Sequence, residues 1–461
     1  MPDRQIATTH ALAYRALGSP PIAEKGDLAK LWNEAHRALP PWQVGSGTVD
    51  DDDGLTLPDA EMGEMLRLLS LARNSLAPPH HPLWRHTQAF ALAWQAFKDE
   101  TGSLDFTDML EHAATFHEDL GHPVLIVDEA QDLVPLQWVL VRQWGAHAER
   151  FVVAGDPAQV LYSFAGASVA GMLEPLPGEQ LWNLPTTDRL PALVQLHAET
   201  WLSEHSGDLM VGRDYAPKPM EGVVRPLTAT WRHPDLLLDD VERQVEAGRT
   251  VMILASCAYM LAPTIAGLRE RGVAFKNQYR LSNGAWNPLG GKAGTVRTAD
   301  RVAAYLRGED AASWVELLRA DCFLFRGAKK MLEDGQGETV IDLLKPDWKP
   351  LLAARDPLLL LRGSLGKYTR PLEYAINLGR RGGPDALTTE PRVTVGSVHS
   401  VKGGEAQYVA VFPDVSVAGS DEMEASVEGN DAAIRLFYVA FTRASEELVL
   451  CEAADPRRAA W

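Results

Sequence analysis

The stretch Val124-Leu125-Ile126-Val127-Asp128-Glu129-Ala130-Gln131-Asp132 decides the fold. Four apolar, mainly β-branched residues have the length of a strand buried on both faces of a parallel sheet, and two acids end it. Asp128 and Glu129 then stand at the carboxyl edge of the sheet, where ligands of open α/β sheets bind. In nucleotide hydrolases built this way the first acid holds Mg2+. The second is placed to orient or deprotonate the attacking water. A solvated strand end would carry the same two acids, so the segments around them have to be read as well.

Working outward, Phe151-Val152-Val153-Ala154 repeats the pattern and runs into Gly155-Asp156-Pro157-Ala158-Gln159. The Gly and Pro make a tight turn that aims Gln159 at the same edge as Asp128, within reach of a water or a terminal phosphate oxygen. Tyr162 and Phe164 follow, two aromatics that either join the core or stack on a base. Further strands are expected at Val251–Leu254, Val393–Val395 and Tyr408–Phe412, with helical spacing between them, which is the alternation of α/β proteins with parallel sheets. The strands fall into two groups, and two cores are expected. Residues 1–17 and 105–190 are assigned to the first and 191–280 with 386–461 to the second. Residues 18–104 have helical spacing at Glu61–Leu76 and Thr87–Lys98, interrupted by Pro78-Pro79-His80-His81-Pro82, and are expected to form a helical insertion. Residues 281–385 are expected to form a smaller one.

Composition sets limits. The 461 residues are 46% hydrophobic and 23% charged, an ordinary mixture for a folded chain. Forty-four Lys and Arg against 62 Asp and Glu leave a formal charge of −18, which excludes a generic polycation that coats nucleic acid. Any nucleic-acid role needs a local groove of basic and aromatic groups. The acidic runs Asp50 to Asp53 and Asp421 to Asp431 are expected to be solvated loops. Cys257, Cys322 and Cys451 are far apart and odd in number, so neither a disulfide framework nor a zinc site is expected. No apolar run is long enough for a membrane span and no signal-peptide core opens the chain; a reduced, cytoplasmic protein is expected.

Two segments near the end carry more chemistry. Val393-Thr394-Val395-Gly396-Ser397-Val398-His399-Ser400-Val401-Lys402-Gly403-Gly404-Glu405 leaves a strand through a loop rich in small and polar residues. In Arg435-Leu436-Phe437-Tyr438-Val439-Ala440-Phe441-Thr442-Arg443-Ala444, an apolar helical face of Leu436, Val439 and Ala440 continues into Arg443. A guanidinium on a core-facing stripe needs an anionic partner, and an internal salt bridge or a ligand phosphate would serve equally.

Together and in this order, these segments resemble the UvrD/Rep-type branch of superfamily 1 DNA helicases. Ile6-Ala7-Thr8-Thr9-His10-Ala11-Leu12-Ala13-Tyr14-Arg15 is similar to the family's Thr-Phe-His DNA-contact motif, and Leu104-Asp105-Phe106-Thr107-Asp108-Met109-Leu110 to its Asp-Phe-x-Asp-Leu-Leu element. The resemblance implies two RecA-like cores with ATP between them, each carrying an insertion, and translocation on single-stranded DNA or a DNA fork in the 3′ to 5′ direction. It implies that Asp128 binds Mg2+, Glu129 activates water, Gln159 senses the γ-phosphate, and Arg189 and Arg443 serve the phosphates. Glu405, next to Gly403, would hold the ribose. Thr9, His10, Tyr162, Phe164, Ser397 and His399 would face DNA.

The chain also departs from the family. No Gly-x-x-x-x-Gly-Lys-Ser/Thr loop occurs in it; Gly363-Ser364-Leu365-Gly366-Lys367-Tyr368 and Gly290-Gly291-Lys292-Ala293 lack the spacing or the hydroxyl. The first core is therefore expected to be truncated at its amino end, with the loop upstream: on a separate amino-terminal polypeptide, before a mis-assigned start codon, or across an intein or frameshift junction. Asp188 stands where the family has a tyrosine that packs on adenine, and Ala165 where it has an arginine linked to DNA. Two other readings stay open: a helicase relic that binds single-stranded DNA without hydrolysis, and a nuclease–helicase subunit, against which no nuclease motif follows Arg443.

Overall fold

A computed structural model describes residues 6–44, 63–116, 119–176, 178–205, 215–277, 296–309, 327, 330, 344–355 and 369–458. The run Asp50 to Asp53, Cys322 and both lysine–glycine candidates lie outside them. The chain divides into two compact units, Met1–Leu181 and Trp182–Trp461. Parallel sheets and flanking helices make both units α/β, as a RecA-like fold requires.

In the first unit, β1 (Val124–Val127) and β2 (Arg150–Val153) pair in parallel, with Val124 opposite Arg150 and Val127 opposite Val153. The crossover between them is α6 (Pro135–His147). Its Pro135 occupies the first turn, where a missing N–H leaves nothing unsatisfied, and the Gln137 side chain accepts from Val134 N. Leu136, Leu140, Val141 and Trp144 of α6 bury with Val127, and Leu125, Phe151 and Val153 pack beside them.

The other face of this pair differs from the expectation. Val124, Ile126 and Val152 are 47%, 65% and 45% exposed, so β1 and β2 are buried on one face only. The reason is topological: two strands bring one crossover helix, and among the described residues no element covers the second face.

The first unit also holds α1 (Thr9–Ala16), α2 (Gly26–Ala35), α3 (Glu64–Asn74), α4 (Pro82–Thr101), α5 (Phe106–Phe116) and the single turn α7 (Ala170–Leu173). Proline both ends and starts helices here. His81 caps α4 through Nδ1, which accepts from Leu83 N, and Pro82 takes the first helical position. Trp32, Leu66, Leu69, Phe90 and Trp94 give α2, α3 and α4 a core of their own.

The element Asp105-Phe106-Thr107-Asp108 fastens that helical part to α5. Asp105 Oδ1 accepts from Asp108 N and Asp108 Oδ2 from Asp105 N, a reciprocal cap at the start of α5. The same carboxylates receive Lys98 Nζ at 2.7 and 2.5 Å and the Arg73 guanidinium at 3.0 and 2.6 Å. Burial alone would raise the Asp105 carboxyl, but Arg73 and Lys98 hold it below its ordinary value.

The second unit is a six-stranded parallel sheet in the order β3-β8-β7-β4-β6-β5. The strands are β3 (Val223–Leu227), β4 (Val251–Ala255), β5 (Phe275–Asn277), β6 (Val393–Ser397), β7 (Ala406–Val411) and β8 (Ala444–Cys451). Every residue of β4 and β6 is buried. Successive strand residues point to opposite faces, so both faces of the sheet are covered. On one side α9 (Asp235–Glu246), α10 (Ala262–Arg271), α11 (Val296–Arg307) and, after the short α12 (Lys349–Ala353), α13 (Thr369–Gly382) share a core that includes Val241, Leu268, Tyr305 and Tyr374. Between β7 and β8 lie α14 (Val417–Ala425) and α15 (Val427–Phe441), the latter tied to α8 (Ala192–His205) by the hydrogen bond from Trp201 Nε1 to Ile434 O. No described helix is long and apolar enough to cross a membrane.

Candidate nucleotide and DNA sites

Asp128 and Glu129 leave β1 at the carboxyl edge, and the Gly155–Gln159 turn leaves β2 beside them, joined by the backbone bond from Ala130 N to Ala154 O. Glu129 sits in the left-handed region at φ 51°, ψ 37°, a conformation that costs a non-glycine residue about 1–3 kcal/mol and concentrates at functional sites. Its N–H donates to Asp128 Oδ1, and its exposed carboxylate accepts from Gln131 Nε2 at 2.6 Å. Gln159 Nε2 donates to Asp156 Oδ2 at 2.8 Å, while Asp156 Oδ1 caps the turn by accepting from Ala158 N. Sequence reasoning assigned nothing to Gln131 or Asp156. The signal was there: a glutamine two residues after an acid and just ahead of an apolar helix is buried, and a buried amide must find partners.

Among the described residues no group of three or more His, Cys, Asp and Glu side chains is placed to hold a metal.

In the second unit three expected residues meet at the amino edge of the sheet. Glu405 directly precedes β7 and Arg443 directly precedes β8, with Ala406 N donating to Arg443 O. Arg189 Nε donates to Glu405 Oε2 at 2.8 Å. Gly403, at φ 81°, turns the chain in a conformation that a side chain would strain. Arg443 is only 1% exposed, and its guanidinium donates to the carbonyls of Val439 and Gly404 and to Thr442 Oγ1.

The residues expected to face DNA lie elsewhere. Ser397 ends β6 at the opposite, carboxyl edge; it is buried, and its hydroxyl has no hydrogen-bond partner among the described residues. His399 follows it, half-buried, in a single turn. In the first unit Thr9 Oγ1 accepts from Gln137 Nε2 at 2.7 Å, and the His10 ring meets Phe106 edge to face at 6.0 Å. Burial pushes His10 down to about 4, so it is neutral near pH 7. Tyr162 is half-buried, and its carbonyl accepts from Ala165 N and Ala167 N. The Phe164 backbone lies in the same turn; its side chain is outside what is described.

Known proteins carry the same segments in the same order. The UvrD/REP helicase N-terminal domain family matches residues 60–176, which include the acid pair and the Gln159 turn. The UvrD-like helicase C-terminal domain family matches residues 392–451, which include Glu405 and Arg443. Over these two stretches the chain is similar to UvrD/Rep helicases. It is 35% identical over 91 residues to the ATP-dependent DNA helicase UvrD2 of Mycobacterium tuberculosis, and equally to that of Mycobacterium bovis. The alignment covers 18% of this chain and 13% of the relative. A shorter match, 37% over 51 residues, joins it to the RecBCD enzyme subunit RecB of Mycolicibacterium smegmatis, covering 11% of this chain and 5% of the relative. The chain thus spans a small part of the curated relatives it matches, and the UvrD/Rep-like likeness attaches to the segments that hold the two candidate edges.

Proposed function

We propose that this chain is the motor core of a DNA helicase or translocase that hydrolyses ATP with Mg2+ and moves 3′ to 5′ on single-stranded DNA. The observation that carries this reading is the carboxyl edge of β1 and β2, where two exposed acids, one in a strained conformation, stand next to a glutamine-bearing turn. Asp128 would hold Mg2+, whose contribution is to neutralise phosphate charge. Glu129 takes the proton of the attacking water, and Gln159 hydrogen-bonds a phosphate oxygen. In the second unit Arg189 and Arg443 would serve nucleotide phosphates and Glu405 a ribose, with Gly403 allowing the loop its turn. Thr9, His10, Tyr162 and Phe164 in the first unit, and Ser397 and His399 in the second, would each contact DNA. Residues 1–461 contain no Gly-x-x-x-x-Gly-Lys-Ser/Thr loop.

The test is ATP hydrolysis with and without single-stranded DNA, in wild type and Glu129→Gln. Loss of a general base is expected to lower turnover about 10²–10⁴-fold while DNA binding persists. Equal background rates in every sample would favour the second reading, a non-catalytic subunit that binds single-stranded DNA. That reading draws support from Arg443, whose guanidinium is buried on carbonyl oxygens.

A further inference from the structure

Gln131 is 1% exposed, and both ends of its amide are engaged. Nε2 donates to Glu129 Oε2 at 2.6 Å, and Oε1 accepts from Asp156 N at 3.1 Å. Asp156 in turn holds Gln159 Nε2 through Oδ2 at 2.8 Å. An unbroken run of hydrogen bonds therefore joins the Gln159 amide to the Glu129 carboxylate, crossing from the turn after β2 to the turn after β1. Gly155 leaves room for it: a Cβ there would stand 2.4 Å from Gln131 Oε1 and 3.1 Å from Met172 Cε. The run ends on a residue in a strained backbone conformation, whose orientation needs such a tether.

We propose that Gln131 is a positioning residue that couples the two turns, fixing the Glu129 carboxylate according to where the Gln159 turn lies. The amide is suited to this because it donates at one end and accepts at the other. A carboxylate in its place keeps the acceptor for Asp156 N but presents a like charge to Glu129. This inference rests on the functional reading above in that Glu129 is taken as the base.

The test compares wild type, Gln131→Ala, Gln131→Glu and Gly155→Ala, each as the full chain. Amide hydrogen exchange at Asp156 reads the coupling without any turnover. It should speed up about tenfold in Gln131→Ala and Gly155→Ala and stay at the wild-type rate in Gln131→Glu, one lost hydrogen bond being worth about 1.4 kcal/mol. Under conditions where wild type hydrolyses ATP, all three variants should lose about tenfold in kcat with KM within about twofold. Unchanged protection at Asp156 in Gln131→Ala, or unchanged kcat in an active preparation, overturns the proposal. Should wild type not hydrolyse ATP at all, the functional reading fails, and the exchange rates still decide the coupling.

Discussion

Val124-Leu125-Ile126-Val127 and Val251-Met252-Ile253-Leu254 are almost interchangeable as sequence, and both form parallel strands. Yet Ile126 is 65% exposed and Ile253 is fully buried. Neighbours make the difference. β4 lies between β6 and β7 with every residue buried, whereas among the described residues β1 has one partner strand and is packed on one face only. An isolated two-stranded sheet is marginal in water. The first unit therefore rests on its helices and on the buried charges of Arg73, Lys98, Asp105 and Asp108, the second on its sheet.

The sharpest way to break that contrast is Lys98→Met. Lys98 is 3% exposed and serves two carboxylates, so removing its charge leaves Arg73 as their remaining cationic partner among the described residues, in a buried cluster. A loss of about 3–5 kcal/mol is expected in urea denaturation, concentrated in the first unit. A loss under about 1 kcal/mol, the worth of an exposed pair, would show that the charges do not fasten the helices. The comparison of Ile253→Ala with Ile126→Ala comes next. The first should cost about 2–5 kcal/mol and the second stay within about 0.5 kcal/mol. Equal losses would mean that Ile126 is covered in solution.

The same contrast explains what the sequence could tell. Apolar runs located β1, β2, β4, β6 and β7 to within a residue or two, because period and residue type act locally. β3 (Val223–Leu227) escaped notice because it contains Pro226 and Arg225; β5 is three residues long; β8 (Ala444–Cys451) carries Ser445, Glu446 and Glu447 ahead of its apolar run. Burial was not local either, and the exposed face of β1 could not be read from four apolar letters. At the sites, Asp128, Glu129 and Gln159 were legible because strand ends aim side chains at one edge. Gln131 was quoted and passed over because its role depends on Asp156, twenty-five residues away. That Asp105 and Asp108 hold Arg73 and Lys98 likewise depends on contacts across the fold.

Two titrating groups give the first unit a pH signature that the second need not share. His10 has a folded value of about 4, below the ordinary 6.5, so the unfolded chain binds more protons between those values and stability falls as pH drops through that window. Glu24 goes the other way. Burial, then the Asp105 charge, raises its carboxyl well above the ordinary 4.5, so its contribution is present at low pH and is lost as pH rises through the raised value. On going from about pH 7 to about pH 4.5, wild type should lose more stability than His10→Asn, and Glu24→Gln should lose more than wild type. Parallel curves for all three would remove both assignments.

The smallest effect is expected at the Arg189–Glu405 pair, and its smallness is informative. The side chains are 30% and 56% exposed and the bond is 2.8 Å long, so water screens it in a way that it cannot screen Lys98 and Asp105. A double-mutant cycle with Arg189→Gln and Glu405→Gln should give a coupling of about 0.2–1 kcal/mol that vanishes near 1 M salt. The cycle of Arg73→Met with Asp105→Asn should keep most of its coupling there. A weak, screened pair is one that a ligand can exchange: if a nucleotide offers hydroxyls to Glu405 and phosphate oxygens to Arg189, little internal energy opposes the swap. A coupling above about 2 kcal/mol that survives salt would make the pair a structural clasp, and Glu405 would then be committed to Arg189 rather than available to a ribose.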